Sequence, residues 1–210
     1  MTAPEIVFAD DTLIVADKPA GLLAVPGRGA DKQDCLCARV QALHADALIV
    51  HRLDMATSGL LVLARGAQAQ RSLSIAFAQR LVHKRYTAVV AGSMQDPEGR
   101  VELPLICDWP NRPRQKVDHS LGKPSLTLYR VLQHDRTHGT TRVELEPVTG
   151  RSHQLRVHLA ELGHAILGDA LYASPEVHAM APRLLLHASL LQLPHPRTGE
   201  PMTFESPAPF

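Results

Sequence analysis

Asp54 closes the tetrapeptide His51-Arg52-Leu53-Asp54, directly ahead of the apolar run Leu60 to Ala64. A carboxylate anchored beside a rigid strand, with an arginine two residues away, is held ionised. In that state it can act as nucleophile, base or electrostatic stabiliser. The plainer reading, a loop aspartate capping a turn around Thr57-Ser58-Gly59, is the commoner one for an arbitrary aspartate, and the tetrapeptide alone only suggests chemistry. A second group lies in GRSHQLRVHLAELGH, where Arg151 stands at a helix start and Arg156 within the helix. An arginine on a fixed element can hold a buried carboxylate charged and aimed.

Tyr86 in KRYTAVV reads as a strand tyrosine, either a core ring or a ring on which a base stacks. Trp109, Arg112, Arg114 and Lys116 share a run with two prolines. One aromatic among cations matches a single-stranded or loop RNA contact, and it also matches a solvated loop with a half-buried Trp. His153 and His158 are five apart, without the spacing or the glutamate of a helical zinc motif, so no metal is expected. His158 and Glu161 read as a solvated pair. Ser58 lacks the first glycine of a nucleophile elbow, and neither a phosphate-binding P-loop nor a dinucleotide fingerprint occurs.

The elements that position these residues follow from the apolar spacing. Ile6 to Lys18 predicts a hairpin around Asp10-Asp11, and Asp34 to Ala45 a weak helix with Leu36, Val40 and Leu43 on one face. Leu60 to Ala64 reads as a strand buried on both faces. Ala67 to Arg80 is helical through Ala69, Leu73, Ala76 and Phe77. KRYTAVVAG is a strand with Tyr86, Ala88 and Val90 on one side. The stretch Ser93 to Pro124 is loops with short strands, and Leu126 to Leu132 pairs with Thr141 to Glu146. The clearest helix is predicted to start at Ser152 as N-cap, to carry Leu155, Leu159 and Leu162 on one face, and to stop at Gly163. Arg183 to Ala188 and Leu190 to Leu193 read as two late strands. Strands outnumber helices without alternating with them, which favours α+β with a mixed sheet.

The 210 residues suit one domain or two packed lobes. A formal charge of +1, from 22 basic and 21 acidic residues, argues against a DNA-coating protein and leaves room for a local basic groove. The three cysteines, Cys35, Cys37 and Cys107, form neither a disulfide framework nor a zinc pattern. No run reaches the ~18 apolar residues of a membrane span. Met1 to Asp10 lacks the basic and apolar regions of a secretory leader, so a cytoplasmic protein is expected.

HRLDMATSGLLVLAR, KRYTAVVAG and TGRSHQLRVHLAELGHAILGD, in that order, resemble the RluA family of pseudouridine synthases. KPAGLLAVPGR looks like the family's first motif and RLLLHA like its late strand motif, so the likeness runs from about Asp11 onward. The runs LPLICDWPNRPRQKV and YASPEVHAMAPRLLLHA further resemble the dual-specificity members. The resemblance implies an α+β fold, with a mixed, mainly antiparallel bent central sheet and flanking helices and loops. It implies one catalytic domain over residues 1–210, without a separate N-terminal RNA-binding domain, and no metal or organic cofactor.

It also implies roles. Asp54 is the nucleophile, Arg52 enters the base stack beside His51 of the same motif, Tyr86 stacks on the flipped uracil, and Arg156 pairs with the Asp54 carboxylate. Leu185 and Leu186 supply the apolar wall. Trp109, Arg112, Arg114, Lys116 and Arg151 contact RNA, and the substrates are a uridine in 23S ribosomal RNA and one in the anticodon stem-loop of certain tRNAs. Nothing suggests a dimer seam, so a monomer is expected. The alternative is a non-catalytic RNA-binding or RNA-folding module on the same scaffold. An N-glycoside hydrolase ranks last, because no second carboxylate is placed as general acid.

Overall fold

The computed structural model describes residues 2–210; Met1, the first residue of the stretch weighed as a leader, lies outside them. The strands begin with β1 (Glu5–Ala9), β2 (Leu13–Lys18), β3 (Ala47–Ile49), β4 (Ser58–Arg65) and β5 (His83–Ala91). They continue with β6 (Glu98–Glu102), β7 (Leu105–Cys107), β8 (Gln115–Val117), β9 (Leu126–Asp135), β10 (Thr140–Pro147), β11 (Leu186–Pro194) and β12 (Pro201–Glu205). The helices are α1 (Leu36–Gln41), α2 (Gly66–Ala78), α3 (Gln154–Glu161) and α4 (Pro175–Ala179). The chain divides into two compact units. One runs to Lys84 and adds His187–Pro209; the other is Arg85–Leu186 with Phe210.

In the first unit β1 and β2 form the expected hairpin, and β2 runs antiparallel along β4 from Leu13↔Ala64 to Lys18↔Gly59. The other edge of β4 is shared. β3 runs antiparallel beside Leu63 to Arg65, and β11 runs parallel beside Ser58 and Gly59. β12 then pairs antiparallel with β11. The unbroken apolar run of β4 is buried on both faces, as its composition requires. Leu60, Val62 and Ala64 meet Leu13, Val15, Leu191, Leu193 and the α2 residues Ala69, Leu73 and Ala76. Leu61 and Leu63 alternate to the opposite face and are also buried.

Gly59 is where the parallel pair closes. Its φ is +109°, and a Cβ there would stand 2.4 Å from the Ala188 carbonyl oxygen, so only glycine fits. α1 is shorter than its pattern predicts. It ends at Gln41, which leaves Leu43 beyond the helix and exposed. Cys35 and Cys37 are buried, and the Cys35 sulfur caps α1 by accepting the Ala38 N–H at 3.3 Å.

In the second unit β5, β10, β9 and β6 lie side by side, all antiparallel. The Leu126 to Leu132 and Thr141 to Glu146 pair anticipated from sequence is β9 with β10. Tyr86, Ala88 and Val90 fall on the buried side of β5, as their spacing predicts. β7 and β8 form a separate hairpin that carries the Trp109 loop.

α3 corrects three expectations. Its N-cap is His153, in left-handed conformation with φ 53°, rather than Ser152. Leu162 lies past the last turn and is partly exposed, so the helix does not present a leucine stripe. Instead every residue from Gln154 to Leu159 is buried, including three polar ones, because the helix is enclosed on several sides. At eight residues it is also shorter than the thirteen-residue α2, which is the better-defined helix. Gly163 does take the predicted position after the C-cap, with φ 81°.

The two late strands expected from sequence are one, Leu186–Pro194, and β12 went unrecognised because Pro201 opens it and its side chains alternate only between exposed and half-buried. The parallel β4–β11 pair among antiparallel ones, with few helices, makes the fold the mixed α+β class expected.

Candidate active site

The Asp54 loop belongs to the first unit and is fixed through main-chain atoms. The Thr57 N–H bonds the Asp54 carbonyl at 3.1 Å, closing a turn, and the Gly21 N–H bonds the Met55 carbonyl at 2.9 Å. Lys18, fully buried at the end of β2, locks the same loop. Its ammonium donates to the carbonyls of Pro19 (2.9 Å), Leu22 (2.7 Å) and Met55 (3.0 Å). A buried ammonium is tolerated only with such partners, so the loop geometry and the Lys18 charge stabilise each other. The residue thus held, Asp54, is half-buried. Arg52 is exposed.

His51 is built into the fold. Its ring stacks on Phe77, with centroids 4.7 Å apart, and its Nε2 accepts the Val62 N–H at 3.0 Å. Val62 falls between the part of β4 paired with β3 and the part paired with β11, so this ring fills a gap in the ladder. Desolvation, aided by the Lys84 charge, pushes the imidazole from 6.5 to about 3.

A consequence is acid sensitivity. The unfolded chain takes up this proton near the ordinary value, the folded chain only near the depressed one. Stability is therefore full above that ordinary value and is lost as pH falls. Between neutrality and about pH 4 the loss is on the order of 3 kcal/mol from this residue. Burial also lowers His158, which adds in the same direction. Urea midpoints measured from about pH 7 to about pH 4 should fall steadily, and His51→Gln should flatten the profile; identical profiles would contradict this assignment.

The second unit holds Tyr86 and Arg156. Tyr86 is buried at 9% exposure, opposite Leu145 in the β5–β10 register. Arg156, also buried, makes a two-pronged ion pair with Asp169: Nε donates to Oδ2 at 2.8 Å and Nη2 to Oδ1 at 2.6 Å. Asp169 further accepts the N–H groups of Leu171 (2.9 Å) and Tyr172 (3.2 Å). Tyr172 gathers several predicted residues around one ring. The guanidinium carbons of Arg156 and Arg114 stand 5.1 and 5.4 Å from its centre, and His153 Nδ1 lies 2.7 Å from its hydroxyl. That hydroxyl also accepts the Gln115 N–H at 2.7 Å.

His158 corrects the solvated pair expected with Glu161. It is fully buried, its Nε2 lies 3.1 Å from the Leu103 carbonyl, and its Nδ1 lies 2.9 Å from the Thr127 hydroxyl. The carbonyl places the proton on Nε2, so Nδ1 accepts from Thr127.

Trp109 is 64% exposed, with the Arg112 guanidinium 4.5 Å from its ring centre. Lys116 and Arg151 are exposed, Lys116 on β8 and Arg151 donating to the Pro124 carbonyl at 3.3 Å. Leu186 is buried at the start of β11. Leu185 is half-buried, and its main chain bonds Val89 and Leu167 beside β5. Among the described residues, no group of three or more His, Cys, Asp or Glu is placed to hold a metal.

Three residues were not singled out from sequence: Lys18 in the first unit, and Asp169 and Tyr172 in the second. Only Asp169 carried a local signal. It follows Gly168, where a Cβ would stand 1.9 Å from the Arg183 carbonyl oxygen, and it opens a turn that its own side chain caps.

Comparisons with known proteins bear on the family and the fold. The family model described as RNA pseudouridylate synthase matches residues 12–161. The "Dual-specificity RNA pseudouridine synthase RluA" of Escherichia coli (strain K12) is 53% identical over 205 residues, covering 98% of this chain and 93% of that protein. The protein of the same name from Yersinia pestis is 50% identical, with 98% and 99% covered. Among solved structures, Human RNA Pseudouridylate Synthase Domain Containing 1 superposes with a TM-score of 0.84 at 29% identity, over 99% of this chain and 84% of that one. A family match over most of the length, with relatives about half identical across nearly all of it, means that the chain belongs to the RluA-type RNA pseudouridine synthases, a family of isomerases.

Proposed function

We propose that this chain isomerises specific uridines to pseudouridine in two RNAs, 23S ribosomal RNA and the anticodon stem-loop of certain tRNAs. The observation that carries the reading is the 53% identity, across 98% of the chain, to an enzyme named for dual specificity. The reaction breaks the N1–C1′ bond and forms a C5–C1′ bond, while the C5 hydrogen leaves to solvent and N1 takes a proton. Atoms balance without oxidant, reductant or cosubstrate, and the protein acts without a cofactor, as a monomer, in the cytoplasm.

Asp54 is the nucleophile or base in this reading, Arg52 enters the base stack, and Tyr86 stacks on the extruded uracil. Arg156 supplies the counter-charge of the Asp54 carboxylate. Leu185 and Leu186 contribute apolar wall, which keeps water from the detached sugar. Trp109, Arg112, Arg114, Lys116 and Arg151 contact the RNA around the target. Extruding a base costs a few kcal/mol and less in a loop, which suits stem-loop substrates.

Pseudouridine mapping of 23S rRNA and tRNA, from cells with and without the gene, tests the reading. Loss of a pseudouridine in each RNA class is expected. Retention of every site in both classes would overturn it.

A further inference from the structure

Lys84 lies near the start of the Tyr86 strand and is half-buried. Its Nζ stands 5.8 Å from the centre of the Phe77 ring, the same ring on which His51 stacks. It makes no hydrogen bond or ion pair with any described residue. Burial alone pushes the Lys84 ammonium below the ordinary lysine range, and no carboxylate opposes that shift. His51 offers nothing either, since its Nε2 is committed to Val62 and its ring stays neutral.

The contrast with Lys18 is informative. Lys18 is deeper, yet three carbonyls satisfy it. Lys84 has been stripped of part of its water and given an aromatic face in exchange. A ring face compensates such a loss only in part. An uncompensated ammonium weakens the free protein, and what removes the penalty is an anion brought by a ligand. Arg52 is next to His51 in the chain, exposed, and equally uncommitted among the described residues. The stacked His51 and Phe77 rings thus form an apolar floor, with one cation standing against Phe77 and another adjoining His51 in the chain.

We propose that Lys84 is the half-buried cation of a binding site for a backbone phosphodiester of the substrate RNA, set against the His51–Phe77 ring stack. The inference rests on the chain acting on RNA. Lys84 is a positioning residue here, since it grips the strand and not the reacting base. Asp54 lies three residues after His51 and two after Arg52. A phosphate held against the rigid ring stack therefore sets the register of the strand relative to the Asp54 loop.

The test is the salt dependence of binding to an anticodon stem-loop RNA, for the wild type, Lys84→Gln and Lys84→Arg. Each phosphate contact contributes about 0.7 to 0.9 to the slope of log affinity against log salt. Lys84→Gln should lower that slope by about this amount and raise KM roughly tenfold, with a smaller change in kcat at saturating RNA. Lys84→Arg should restore the slope. The thermal midpoint of Lys84→Gln should hold or rise, since a poorly solvated charge has been removed. A wild-type slope and KM in folded Lys84→Gln would overturn the phosphate site, as would a fall in its midpoint with the slope unchanged. If instead the wild-type protein neither binds nor isomerises RNA, it is the proposed function that fails.

Discussion

Asp54→Asn is expected to reduce pseudouridine formation by about 10⁴-fold or more, the scale seen when a group that reacts directly is removed. Three routes are open to the carboxylate: attack at C1′, attack at C6, or removal of the 2′ proton. Each needs an ionised oxygen, so the prediction holds whichever route operates. Asparagine keeps the shape, and the loop is held by main-chain bonds and by Lys18, so fold and RNA affinity should change little. Tritium release from RNA labelled at uridine C5 measures the loss, and a binding assay on the same RNA supplies the control. Near-normal release would remove Asp54 from the chemistry. Binding without release in the wild type would favour the non-catalytic RNA-binding module.

Asp169→Ala should cost about 3 kcal/mol of stability, because the buried Arg156 guanidinium loses two charge-assisted hydrogen bonds. The side chains of Arg156 and Asp169 are only 5% and 1% exposed, so water cannot replace the lost carboxylate. Two main-chain donors, at Leu171 and Tyr172, lose their acceptor as well. Asp169→Asn retains one oxygen and should cost less. Urea denaturation gives both values. In the double variant Asp169→Leu with Arg156→Met, part of the stability should return, because both members of the Arg156–Asp169 pair are replaced by apolar side chains. An Asp169→Ala variant as stable as the wild type would show that the pair contributes nothing to folding.

What the sequence disclosed depends on how local each cause was. β4 and β5 were readable because an unbroken apolar run and a strict alternation are properties of a few consecutive side chains. Gly163 was readable for the same reason, as a stop signal beside its helix. The failures come from distant partners. Lys18 looks like a surface lysine until carbonyls from Leu22 and Met55 close around it. His158 looks solvated until Thr127 and Leu103 enclose it. Ser152 resembles an N-cap, yet the Gln154 side chain takes the Arg151 N–H at 3.1 Å and the Thr149 hydroxyl at 2.7 Å instead. The site residues were named through likeness to a family; spacing alone favoured Asp54 as a turn cap over a nucleophile.

The parallel partner of β4 comes from far along the chain, and this has a consequence for synthesis. β11 follows β4 by about 120 residues, which at ribosomal rates of 5–20 residues per second means a wait of roughly 6 to 24 s. During that interval the edge of β4 at Ser58 and Gly59 has no strand beside it, and Leu191 and Leu193 are missing from the core. The second unit is nearly continuous in sequence and has no such delay. The nascent chain therefore completes its middle before its beginning, and the loop that carries Asp54 gains its final support only as the last strands emerge.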